Sequence, residues 1–205
     1  MAAITPPTRP ALRERYERRR SEVIATAARV FAERGFQATS ISDLTEATGL
    51  AAGGLYHYIE SKDRLLLGVC NELLDPVLAE AREIVAEQRP PAEQLRQLLR
   101  AWLAHIASRR DHMLVFAQER HVIEREPQWA QIRGQRKEFE QLLDGVLARG
   151  EAENAFAFAD RGLTLLALLG MVNYTPQWLD PGGRLDPGQI ADGYCDLIVS
   201  AATHE

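Results

Sequence analysis

Residues 40–62 read SISDLTEATGLAAGGLYHYIESK, and their spacing decides the fold. Ser40 with Asp43 three residues on is an N-cap with its reciprocal partner, so a helix should open at Ile41 and run to Thr48. Gly49 supplies a tight turn, since glycine adopts a left-handed backbone at no steric cost. A second short helix should span 52–59, and Ser61 should cap a longer one from Lys62. Ile41, Leu44, Leu55 and Ile59 are placed to pack the two short helices onto a preceding one. That order, short helix, glycine turn, short helix, is the layout of a helix-turn-helix.

The preceding helix is predicted over 13–34. Val23, Ala27, Val30 and Phe31 fall at three- and four-residue spacing and form one buried stripe, and Gly35 ends it in a left-handed conformation. Before it, Pro6, Pro7 and Pro10 mark residues 1–12 as a flexible basic arm. After Lys62 the helical period continues almost everywhere and strand signals are scarce. A helix over 62–88 should kink or restart near Asp75, because Pro76 removes a backbone hydrogen bond. Further helices are predicted over 92–108, 111–125, 127–149, 160–174 and 187–202, with a loop at 175–186. The fold class is all-α, with about nine helices. A three-helix DNA-binding domain (13–65) precedes a helical bundle (66–205).

The chain has 205 residues, 46% of them apolar, enough for a sizeable core. No apolar run is long enough to span a bilayer, and the proline- and arginine-rich start is not a secretory signal. Cys70 and Cys195 stand alone, without metal-ligand or redox spacing, which points to a reducing cytoplasm and to no metal or cofactor. The net charge is −5, but it is unevenly spread. Residues 1–20 hold six arginines against Glu14 and Glu17, while residues 66–205 hold fourteen basic and twenty-one acidic groups. A basic head on an acidic body directs any polyanion to the head. By charge alone, a solvated tail fits equally well.

Reading DNA requires a helix that enters the major groove and donors that hold phosphates. Gly53 and Gly54 leave the start of the second short helix without bulk, and Tyr56, His57, Tyr58 and Lys62 supply donors. The pattern Ile24-Ala25, Ala27-Ala28, Phe31, Gly35-Phe36, Thr39-Ser40-Ile41, Leu44, Gly49-Leu50, Leu55-Tyr56-His57-Tyr58-Ile59, Ser61-Lys62 and Leu65-Leu66 resembles the DNA-binding domain of the TetR family of regulators. The resemblance implies that Tyr56 and Lys62 hold phosphates and that Ser40, Ala52, Gly53, Gly54 and His57 lie at or near the groove. The chain departs from the family at Ala51-Ala52-Gly53-Gly54, which lacks the usual polar entry to the recognition helix. Base reading should therefore lean on His57, Tyr56, backbone groups and the arginines, partly through DNA shape.

The same resemblance implies that residues from 66 onward dimerise and bind an effector. Residues 163–172 are apolar almost all round, so both faces need partners. The expected homodimer interface comprises Leu165, Leu168, Leu169, Val172, Tyr194 and Ile198. Gly170-Met171-Val172-Asn173-Tyr174, Trp178, Pro181-Gly182-Gly183 and Ile190-Ala191-Asp192 are similar to TetR regulators of fatty-acid or steroid catabolism, a group that senses acyl-CoA thioesters. Residues 109–137 carry seven basic groups against four acidic ones, apt for CoA phosphates. The expected ligand-binding residues are Trp102, Met113, Phe116, Arg120, Phe139, Met171, Tyr174 and Trp178; ordinary core aromatics and surface ion pairs are the plain alternative. The expected partners are operator DNA, a second copy of the chain and a small effector, with no membrane. Ligand should release the DNA by moving the helix that begins at Lys62.

Two other readings stay open. One is a helical ligand- or partner-binding protein that has lost DNA binding, which the Ala-Ala-Gly-Gly entry permits. The other is a helical-bundle enzyme. His105, His112 and His121 lack the close pair of a zinc helix, and no serine- or cysteine-centred nucleophile motif occurs, so catalysis is not expected.

Overall fold

The computed structural model describes residues 7–180 and 182–201. Among them are ten α-helices, one 3-10 turn and no strand. The helices are α1 (Pro10–Arg34), α2 (Ile41–Thr48), α3 (Ala52–Tyr56), α4 (Lys62–Ala86), α5 (Pro91–Ser108), α6 (Arg110–Gln118) and α7 (Arg120–Arg125), then, after the turn at Pro127–Trp129, α8 (Ala130–Ala152), α9 (Arg161–Trp178) and α10 (Pro187–Ala201). No helix among the described residues is long and apolar enough to cross a membrane.

Residues 1–6 of the expected arm lie outside the described residues. Residues 10–12 are helical, because Pro10 sits at the start of α1, where its fixed φ suits a helix and its missing N–H would have had no partner. The expected helix over 111–125 is broken at Glu119, with no proline or glycine to announce it. Neither interior proline stops its helix: α4 runs through Pro76 and α9 through Pro176. The expected loop thus loses its first turn to α9. There the buried Thr175 hydroxyl donates to Met171 O at 2.9 Å, and Arg110 Nε donates to Pro176 O at 3.0 Å. These bonds anchor the turn in which Pro176 removes one bond of the backbone ladder.

The described chain forms two compact units, and their boundary falls inside α4. The first takes residues up to Glu72 together with Asp111–Trp129; the second takes Leu73–Arg110 and Ala130 onward.

In the first unit α1 is the brace. Its stripe of Val23, Ile24, Ala27, Ala28, Val30 and Phe31 is buried, with Leu44, Leu55, Ile59, Leu65 and Leu66 also in the core. Tyr16 extends the stripe seven residues upstream of Val23 and is buried too. Gly68 lets α4 approach α1 closely: a Cβ there would lie 3.0 Å from Ile24 Cδ1. His112 is buried with its Nε2 3.5 Å from Glu72, whose carboxylate also accepts from Ser21 at 2.7 Å. Burial pushes the Cys70 thiol up to about 12, so it is an inert core residue.

In the second unit α5 is central. Leu95, Leu98, Leu99, Trp102, Leu103 and Ile106 are buried, and α8, α9 and α10 pack around the helix. The Trp102 and Phe139 rings meet edge to face at 4.7 Å. Buried Gln94 closes the end of α4: its amide donates to Ile84 O and Glu87 O, and its carbonyl accepts from Arg149 Nη2 at 2.6 Å. Those carbonyls would otherwise be orphans of the last helical turn. Arg100 grips Asp192 through two bonds, and Arg96 reaches Asp196 at 2.7 Å, tying α5 to α10.

Candidate functional site

The segment 40–62 folds locally as its residues dictate. Ser40 Oγ accepts from Asp43 N at 3.1 Å, and Ser40 N donates to Asp43 Oδ2 at 2.7 Å, completing the capping box. Those Ser40 bonds, and then the Arg34 guanidinium, hold the Asp43 carboxyl below its usual value. Gly49 ends α2 in the left-handed region at φ 66°. Gly35 also has positive φ, 84°, but its ψ of 146° is extended, so α1 does not end in the left-handed turn expected.

The five residues of α3 hang on one buried side chain, Leu55. Around it Ala52, Gly53, Tyr56 and His57 are exposed and Gly54 is half-buried. Nothing lies within 4 Å of where a Cβ on Gly53 would stand, so internal packing does not demand glycine there. Tyr56 is 41% exposed, large for an aromatic beside a core leucine. His57 is held at its backbone: its carbonyl accepts from the Tyr16 hydroxyl at 3.2 Å, while its ring meets Tyr16 edge-on at 5.6 Å.

Two of the expected DNA-binding residues are engaged internally. The Ser40 hydroxyl is committed to its cap. The Lys62 ammonium donates to Phe36 O at 2.9 Å, Thr39 O at 3.0 Å and Gln37 O at 3.4 Å, and lies 4.5 Å from the centre of the Phe36 ring. In this structure Lys62 ties the start of α4 to the α1–α2 connection.

The expected dimer residues differ in exposure. Leu168 and Val172 are fully buried within their own chain, Ile198 is buried as well, and Leu165 and Leu169 are half-buried. The Tyr194 hydroxyl turns inward, 3.0 Å from Thr175 Oγ1. The outward face of α9 carries Leu163, Leu166, Tyr174 and Trp178, which with Leu197 of α10 are 49–67% exposed. Leu163 and Leu166 lie in the stretch expected to need partners on both faces, but a helix apolar on all sides has no phase from which to choose them, or Leu197 on α10, over Leu168 and Val172.

The expected ligand residues divide between the two units. Met113, Phe116 and Arg120 belong to the first unit and the other five to the second. Arg120 is largely exposed beside Glu124. Tyr174 and Trp178 are exposed, and the Trp102 and Phe139 rings meet. Among the described residues no group of three or more His, Cys, Asp and Glu is placed to hold a metal ion.

Residues 23–69 match the family model described as bacterial regulatory proteins, tetR family, and residues 88–202 match that of a tetracyclin repressor-like C-terminal domain. The HTH-type transcriptional repressor KstR2 of Mycobacterium tuberculosis is 28% identical over 188 residues, covering 91% of this chain and 94% of that protein. The structure of that ketosteroid transcriptional regulator superposes with a TM-score of 0.84, at 28% identity, over 91% of this chain and 96% of the other. The regulator PfmR of Thermus thermophilus gives 0.79 at 28% identity, covering 89% of this chain and 99% of the other. AibR, solved with isovaleryl coenzyme A and operator DNA, gives 0.76 at 25% identity over 88% and 98%.

Proposed function

The chain belongs to the TetR family of bacterial regulatory proteins, and on that premise we propose that it is a cytoplasmic, homodimeric transcriptional repressor that leaves its operator when it binds an acyl-CoA thioester. The observation that carries this reading is the near full-length likeness to a repressor, joined to a short helix whose outer face is all small or polar. Ala52, Gly53 and Gly54 let the backbone of α3 close on the major groove, Tyr56 donates to a phosphate, and His57 reads at its edge. Ser40 and Lys62 serve by positioning, one capping α2 and the other fixing the α1–α2 connection.

Dimerisation uses the outward face of α9 with Leu197 of α10. Large apolar side chains on a two-fold interface each count twice, and paired reading heads suit operator half-sites one helical turn apart. The acyl-CoA class is supported by AibR, solved with such a thioester and DNA, and by the steroid regulator KstR2. Trp102, Phe139 and Met171 in the second unit are the proposed acyl contacts. Because α4 contributes to both units, it is the covalent route by which occupancy reaches α3. The protein acts by binding, not turnover.

The test is fluorescence anisotropy with DNA flanking the protein's own coding region, with and without acyl-CoA thioesters from short-chain to steroidal. Tight binding that one thioester weakens five- to 150-fold, roughly the usual range of coupling, supports the reading. Indifference to all such DNA at low ionic strength sinks it. Binding that no thioester changes sinks the ligand class alone.

A further inference from the structure

We infer that the first turns of α1 form a second DNA-gripping surface, one that holds the phosphate backbone of duplex flanking the operator; this rests on the operator-binding reading above. The starting observation is a charge that the protein leaves unanswered. The side chains of Arg13, Arg15 and Arg20 have no ion pair or hydrogen bond among the described residues. Arg18 has Glu14 at 3.7 Å, with both side chains mostly in water. Like charges three or four residues apart on a helix repel, and Arg15 stands so to both Arg18 and Arg19. The helix gains nothing from this spacing by itself, whereas a polyanion beside it reverses the sign of the effect.

The geometry says where that polyanion lies. A groove of about 610 Å³ is lined by Arg15, Arg18 and Arg19 of α1 and by His57 and Tyr58 just beyond α3. Glu22 is the one carboxylate on its described wall, and Arg19 already holds it at 2.7 Å. Tyr16 fixes the two sides to each other: its hydroxyl donates to His57 O, and its ring lies 5.6 Å from that of His57 and 5.3 Å from that of Tyr58. When α3 seats in a groove of the duplex, these guanidiniums are carried to the neighbouring backbone. Guanidinium and phosphate match as two-bond partners. The acidic residues that dominate 66–205 repel the same polyanion, so attraction concentrates at this end of the chain. An acidic protein segment would answer the charge as well, but it would have no reason to lie beside α3.

The experiment compares the full-length protein with its Arg13→Ala/Arg15→Ala/Arg18→Ala variant, on a minimal operator and on one lengthened at both ends, over a series of salt concentrations. The wild type should prefer the longer duplex. The variant should lose that preference, bind it roughly tenfold or more weakly, and show a salt slope shallower by about 0.9 for each phosphate it no longer neutralises. The weakening should be equal on operator and scrambled DNA, since the phosphate backbone carries no sequence. The corresponding triple Arg→Lys variant should keep the slope. Circular dichroism should match across all three proteins, because the side chains exchanged are exposed. If the variant keeps both slope and length preference while still binding the minimal operator, this inference is overturned and the operator reading survives. If wild-type protein binds no duplex at all, both fall.

Discussion

The outer faces of α3 and of α9 are both exposed, and they are chemically opposite. Around α3 the surface is small and polar: Ala52, Gly53, Tyr56, His57. On α9, Leu163, Leu166, Tyr174 and Trp178 stand in water. A contiguous large apolar face is unusual on a chain that stays alone, whereas a backbone laid bare beside donors suits a wet, charged partner. The difference teaches that the two surfaces suit different partners, the polar one the DNA and the apolar one the second copy proposed above.

Substitutions should separate the two. The largest effect is expected from Leu55→Ala, which removes the one buried anchor of α3 and should cost about 2–5 kcal/mol. DNA binding should vanish while sedimentation still shows a dimer; loss of both would mean the surfaces are not independent. Next, Leu166→Glu should weaken dimerisation by about 2–4 kcal/mol, in the range of interface hot spots, and yield monomers at micromolar concentration. A variant that stays dimeric would place the interface elsewhere. Tyr56→Phe deletes one hydroxyl donor to a charged acceptor, for a loss of about 1.5 kcal/mol or roughly tenfold in DNA affinity, with the melting temperature unchanged. The smallest change is Ser40→Ala, about 1 kcal/mol of stability from a lost cap. Its pH signature is specific. The Asp43 carboxyl is depressed in the folded state, chiefly by its Ser40 bonds, so its stabilisation is complete above about pH 4 and fades as pH falls further. Acid titration of the Ser40→Ala protein should show less of that fading than wild type.

Lys62 shows what residue type leaves out at the candidate site. A lysine at the start of a helix behind a recognition segment suggests a phosphate ligand, but the type of residue says nothing of its nearest acceptors. Three carbonyls from 36–39 become its neighbours only when the chain folds back. Tyr16 makes the same point. The stripe read from the sequence begins at Val23, and both the burial of Tyr16, seven residues earlier, and its bond to His57 O, 41 residues away, emerge only in the fold.

What the sequence determined by itself was the set of local elements whose forces act within a few residues. The Ser40–Asp43 box, the Gly49 turn and the single stripe of α1 each fix a backbone before any distant neighbour arrives. Tertiary structure alone decided which side of α9 faces water, that α4 and α9 continue through their prolines, and which arginines find carboxylates. Those outcomes depend on residues far away in the chain. Where a helix is apolar all round, or a charge has several partners in reach, packing chooses among choices that local periodicity leaves equal.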